Sequence, residues 1–199
     1  MRELTEILLA SASPRRRELL ASLGLRVVVV PSDVDEGDRP GLAPRDLARL
    51  HAGAKADVAA GRERERVIVA ADTVVDVDGR ALGKPRDAAQ ARDMLRTLSG
   101  LNHWVHSAYA LVDGPSGRRI EGSVSTEVRF YSLDADEIER YVATGEPLDK
   151  AGAYGIQGRG AALVERIAGD FYTVMGLPLG EIVRHLRDLG YALPAGGVA

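Results

Sequence analysis

The chain has 199 residues, with 26 Lys+Arg against 29 Asp+Glu for a formal net charge of −3, 45% hydrophobic residues and no cysteine. Roughly 100–200 residues per domain is usual, so this length fits one domain with a core large enough to need no covalent staples. The composition excludes disordered, collagen-like and fibrous chains, and the lack of cysteine removes disulfides, thiolate metal sites and cysteine nucleophiles together.

The slight acidity argues against a non-specific nucleic-acid binder, which carries a basic surplus. The apolar stretch 7–10 is shorter than a signal-peptide core and is followed by Arg15, Arg16 and Arg17; no run approaches the ~20 apolar residues of a membrane span. A cytoplasmic protein that binds neither nucleic acid nor membrane is the expectation. All but three of the basic residues are Arg, the exceptions being Lys55, Lys84 and Lys150. In a background that prefers guanidinium, each remaining Lys points to a need for a compact ammonium head.

Residues 6–12 read as a short buried strand running into Ser13-Pro14, an N-cap followed by proline at the first helical position. Leu19, Leu20 and Leu23 then recur at helical spacing, Gly24 stops the helix, and the valines of 27–30 predict a strand buried on both faces. Strand, helix, strand predicts a βαβ unit. An acidic loop over 31–41 precedes a helix opened by Pro44, whose Leu47, Leu50, Ala54 and Val58 share a face and which carries Lys55. Residues 67–71 predict another buried strand ending at Asp72-Thr73, with Val75-Asp76-Val77 continuing it or pairing back before the Asp78-Gly79 turn.

A helix is predicted over 87–98, closed by Gly100, and the extended runs 103–113 and 118–132 predict an antiparallel pair. Asp134 and Glu137 form a capping box for a helix through Thr144. A glycine-rich loop over 146–160, a strand over 161–167 and a helix over 179–189 complete the prediction: a mixed-sheet α/β fold with a cleft, one domain over 1–193 and a frayed tail over 194–199.

Four places hold candidate chemistry. In Ser11-Ala12-Ser13-Pro14-Arg15-Arg16 a strand delivers a capped helix start, where backbone N–H groups and two guanidinium forks suit a phosphate. Cations in a first turn oppose the helix dipole, so a local anion would explain them; solvated arginines beside an ordinary cap are the plain alternative. Asp72, at a strand end where α/β sheets gather ligands, suits a hard metal ion or an activated water, and equally an ordinary turn cap. Glu36 is a candidate second metal carboxylate, although acidic loops are usually just solvated.

The stretch 79–85 looks like a phosphate loop but lacks one residue between its glycines and has Pro85 where Ser or Thr would bind magnesium, so it is no Walker A motif. Its Lys84 still suits a phosphate oxygen. In the glycine-rich loop, Gln157 offers both donor and acceptor to a base edge. His103 and His106 fall on opposite faces of a strand and do not share a metal.

SASPRR after a first strand, VDE, the helix bearing Lys55, AADTVV, LGKP, LSG with a following histidine, GEPLDKAGAYGIQG and GLPL occur in the order found in the Maf family, and the resemblance spans nearly the whole chain. It implies the inosine-triphosphatase-like fold, an elongated mixed β-sheet flanked by helices with two lobes around a central cleft. It also implies a cytoplasmic nucleoside triphosphate pyrophosphatase that uses a divalent cation, Mg²⁺ or Mn²⁺, and is often a homodimer. Arg15, Thr73 and Gln157 stand at the positions that separate the family's subgroups and resemble the dTTP/UTP pyrophosphatase branch, with CTP and modified pyrimidine nucleotides as further candidates.

The implied substrate-binding residues are Ser11, Ser13, Arg15, Arg16, Lys55, Thr73, Lys84 and Gln157; Asp72 is the catalytic carboxylate as base, ligand or both, with Glu36 beside it on the metal. Two other readings are a 7-methyl-GTP or non-canonical nucleotide pyrophosphatase and a non-catalytic regulator of septum formation.

Overall fold

The computed structural model describes residues 1–195 apart from Asp33, Glu36, Asp38 and Pro40. The elements in chain order are β1 (Arg2–Glu3), β2 (Glu6–Leu9), α1 (Pro14–Ala21), β3 (Arg26–Val29), α2 (Pro44–Arg62), β4 (Val67–Val77) and β5 (Arg80–Leu82). They continue with α3 (Ala88–Leu98), β6 (Asn102–Asp113), β7 (Arg119–Phe130), α4 (Ala135–Val142), β8 (Val164–Ala168), α5 (Phe171–Met175), α6 (Leu179–Asp188) and β9 (Tyr191–Ala192). The main sheet runs β3-β2-β4-β6-β7-β8, parallel from β3 through β4 and antiparallel from β4 onward, with β5 folded back on β4. The fold is the mixed α/β one expected.

The long strand β4 organises the molecule. Val67, Val69 and Ala71 join a core with Ile7, Leu20, Leu177 and Ile182, whereas Val75 and Val77 on the same face join a second core with Leu95, Leu98, Phe130 and Ile138. Asp72 and Thr73 stand at the boundary between the two. The neighbour β2 pairs with β4 at Leu8↔Ile68 and Leu9↔Val69, and β5 takes up pairing at Val75↔Leu82. Between those points, among the described residues, one edge of β4 is open while the other stays laddered to β6, with Asp72 opposite Ala108 and Thr73 opposite Ser107. A parallel sheet places ligands just past its strand ends, and this gap lies past the end of β2.

The helix α2 covers the other face. Its buried stripe is Leu47, Ala48, His51, Ala52, Lys55, Ala56 and Ala59, while Leu50 is 46% exposed. The predicted face through Leu50, Ala54 and Val58 is therefore rotated. Small alanines let the helix axis lie close to Ala70, Val74, Ala108 and Ala110, a contact that leucine bulk would prevent.

Three further predictions are corrected. The valines of β3 are not buried on both faces, because β3 is the edge strand and Val29 is 39% exposed. The glycine-rich stretch is not an open loop but a run of short 3-10 turns at Glu146–Asp149, Ala151–Ala153 and Gly158–Leu163. The last of these replaces the start of the predicted 161–167 strand: Glu146 accepts hydrogen bonds from the Arg159 and Gly160 amides, which ties the segment into a turn before β8 begins. The capping box at Asp134 and Glu137 is present with both reciprocal bonds, and Ser13 and Asp87 cap α1 and α3.

Candidate active site

A cavity of about 500 Å³ opens at the gap in β4. Ser11, Ser13, Arg15, Arg16, Lys55, Asp72, Thr73, Lys84 and Gln157 all line it, although they come from five separate stretches of the chain. Glu36 lies outside the described residues.

Asp72 faces α2. Lys55 Nζ donates to its Oδ1 at 2.7 Å, and His51 Nδ1 lies 3.2 Å from its Oδ2. The two partners sit one helical turn apart, so the i,i+4 geometry of α2 delivers both to a single carboxylate. All three side chains are buried. Burial by itself would raise the Asp72 pKa, but the His51 hydrogen bond and the Lys55 and Arg16 charges outweigh it and hold the carboxyl below its ordinary range. At neutral pH Asp72 is thus an anionic acceptor.

On the opposite side of the strand, Arg16 is clamped at three points. Its Nε donates to Gly176 O at 2.9 Å, Nη1 to Ser11 Oγ at 2.9 Å and Nη2 to Thr73 Oγ1 at 3.0 Å. All three acceptors are neutral, and the guanidinium charge acts on Asp72. Ser107 Oγ donates its proton to Thr173 O at 2.7 Å, so in the 2.8 Å Thr73–Ser107 contact Thr73 is the donor, which leaves the Thr73 oxygen as acceptor for Arg16. Gly176 has φ 113°, and a Cβ there would lie 3.4 Å from Thr73 Oγ1, so glycine permits the chain to bring its carbonyl to Arg16.

The cavity's other wall comes from the 3-10 turns. Arg15 Nη1 reaches across to Asp149 Oδ2 at 3.1 Å, and Lys150 Nζ holds Asp149 Oδ1 at 2.7 Å and Glu146 O at 2.6 Å. Lys84 and Gln157 are exposed at the rim. Tyr154 lies beneath them, its hydroxyl 2.7 Å from His103 Nε2, with Phe130 edge-on to its ring. His106 instead contacts Ser125 and Asp76, so the two histidines of β6 serve different neighbours.

Sequence reasoning missed His51, Ser107, Tyr154 and Asp149. For His51 a signal existed: with Lys55 it forms a polar pair one turn apart, set into the alanine stripe Ala48, Ala52 and Ala56. Ser107 carried no comparable mark, because only the β4–β6 register sets it opposite Thr73.

The arrangement can hold a polyanion, with cations on two walls, against one ionised carboxylate. Among the described residues no group of three His, Asp or Glu side chains gathers into a ready-made metal cage. A hard cation of magnesium type needs less from the protein, since one or two carboxylates suffice when phosphates and waters complete its shell, and Asp72 is such a donor.

Comparison with known proteins agrees with the geometry. The chain is 46% identical over 186 residues to the dTTP/UTP pyrophosphatase of Pelotomaculum thermopropionicum, covering 94% of this chain and 97% of that one. It is 50% identical over 190 residues to the dTTP/UTP pyrophosphatase of Anaeromyxobacter dehalogenans, covering 94% and 96%. A HAM1 protein from Coxiella burnetii superposes with a TM-score of 0.50 at 18% identity, covering 93% of this chain and all of that one, a likeness of fold alone and the inosine-triphosphatase-like one expected. The Maf-like protein family model matches residues 6–189, and the chain belongs to that family.

Proposed function

We propose that the protein is a nucleoside triphosphate pyrophosphatase that hydrolyses dTTP and UTP to the monophosphate and pyrophosphate. The observation that carries the reading is the opposition of one buried, ionised Asp72 to Arg16, Arg15 and Lys84 around a single cavity. The substrate assignment follows the names of its full-length relatives at 46–50% identity.

In this reading the polyphosphate lies between the two walls. A triphosphate carries about four negative charges, and Arg16, fixed beforehand by three oxygens, meets it with little reorganisation. Arg15 and Lys84 approach from α1 and the β5 side, and Ser11 and Ser13 add hydroxyls at the strand-to-helix junction. Asp72 accepts a proton from the attacking water and orients it in line with the α-phosphorus, while Lys55 keeps the carboxylate anionic. A Mg²⁺ or Mn²⁺ ion would be held by Asp72, with Glu36 as the expected second carboxylate, and would supply neutralisation of phosphate charge. Gln157 at the rim reads the base edge with its paired donor and acceptor. The enzyme works in the cytoplasm, where its substrates are kept; among the described residues no helix is long and apolar enough to cross a membrane.

Product analysis with a nucleotide panel tests the reading. Monophosphate and pyrophosphate from dTTP and UTP are the expected products. Diphosphate plus orthophosphate would move attack to the γ-phosphorus, and faster turnover of 7-methyl-GTP or other purine analogues would overturn the base assignment. Silence with all common nucleotides and both metals would favour a regulator over an enzyme.

A further inference from the structure

We propose that His51 is a positioning residue that fixes the plane of the Asp72 carboxylate, so that Asp72 presents one defined orientation to the cavity. The inference deepens the reading above and rests on Asp72 being the reacting carboxylate. Lys55 alone cannot supply that orientation. Its ammonium ends a flexible four-carbon stem and bonds one of the two Asp72 oxygens, Oδ1, and the terminal torsion of Asp is broad, so a bond to that oxygen does not by itself fix the carboxylate plane. His51 adds a second grip on the other oxygen, at 3.2 Å, from a rigid ring that is 4% exposed and seated one turn from Lys55 on the same helix.

Two contacts on two oxygens define a plane. Because an ionised carboxylate only accepts, Nδ1 carries the proton whichever charge the ring has, and the His51 ring acts as a donor. The helix closes the geometry: Ala48, Ala52 and Ala56 bring α2 near enough for both side chains to reach β4. The arrangement resembles the outer partners that orient metal-site and catalytic ligands, whose removal typically lowers affinity or activity by roughly 10- to 100-fold.

The test compares His51→Leu, His51→Ala and His51→Asn with Asp72→Asn in the full chain. Each variant is measured for kcat and KM with dTTP, for Mn²⁺ affinity without nucleotide, and for thermal unfolding. An Asn amide nitrogen stands near the place of Nδ1 and keeps a donor. The expected result is a kcat lower by roughly 10- to 100-fold in the Leu and Ala variants, KM within about threefold of the parent, weaker Mn²⁺ binding, and recovery of most of the lost kcat in the Asn variant. The Ala variant adds no bulk, so it supplies the non-donor comparison even where Leu disturbs packing. Parental kcat and Mn²⁺ affinity in the Leu and Ala variants, beside an inactive Asp72→Asn, would overturn the role of His51 and leave the site intact. Equal losses in the Asn and Ala variants would also overturn it, since the donor would then be irrelevant. An active Asp72→Asn would instead remove the reading on which the inference stands.

Discussion

The two walls of the cavity are built by opposite means. On the sheet-and-helix wall each functional side chain is held from another element, the buried Asp72 from α2, the buried Arg16 from β4 and the end of α5, and the half-buried Thr73 from β6. On the wall of 3-10 turns the holding groups are local, with Glu146 gathering the Arg159 and Gly160 amides and the Tyr141 hydroxyl, and with Lys84 and Gln157 exposed at the rim. In the proposed reading, charge that must not move is set in tertiary structure, whereas the contacts assigned to substrate selection are carried by turns that can be altered without disturbing the sheet. The difference predicts that substitutions on the first wall act on turnover and those on the second act on binding.

The largest expected effect is that of Asp72→Asn, which should lower kcat by roughly 10²–10⁴ while the chain still folds, as judged by far-ultraviolet circular dichroism and steady-state kinetics. A modest loss confined to KM would erase the contrast between the walls. Arg16→Lys comes next. A lysine cannot serve Gly176 O, Ser11 Oγ and Thr73 Oγ1 together, so kcat/KM should fall by roughly 10²-fold or more, accompanied by about 1–3 kcal/mol of lost stability in a denaturant titration.

His103 joins the walls through Tyr154, and desolvation pushes its pKa down from 6.5 to about 4. The unfolded chain therefore binds a proton that the folded chain refuses between those values. Stability is full above pH 6.5 and is lost as pH falls toward 4, by about 3 kcal/mol in total. Denaturant midpoints across that window should show the slope, and His103→Asn should flatten it. The smallest effect belongs to Asp149→Asn, which weakens a bridge to Arg15 whose carboxylate is 58% exposed. Stability should change by less than about 1 kcal/mol, with KM shifted severalfold and kcat nearly constant. A collapse of kcat there would show that the outer wall also positions the reacting groups.

Much of this architecture is written in local signals. Ser13-Pro14 starts α1, Asp134 with Glu137 starts α4, and glycines end α1 and the 135–142 helix, because caps and positive-φ stops depend on a few adjacent residues. The face of α2 was not legible, since pattern reading weights Leu50 and Val58 above alanine, while the sheet rewards the small residues and buries His51 and Lys55 against a charge. The 158–163 turn was likewise hidden, because the Glu146 contacts that fold it, although made within the same segment, span 13 and 14 residues and so exceed the reach of cap and turn signals. At the site, the residue types announced a phosphate-and-carboxylate chemistry; that Arg16 is braced by Ser11, Thr73 and Gly176 is a product of topology and has no signature in its own segment.

The bare edge of β4 carries one more consequence. Exposed strand edges invite a second copy to add a strand and begin aggregation. Here β2 ends its pairing at Val69 and β5 begins at Val75, which confines the unladdered stretch to a handful of residues, one of them the ionised Asp72. A template that short and that charged is a poor seed for self-association, so the same gap that admits a ligand keeps other polypeptides out.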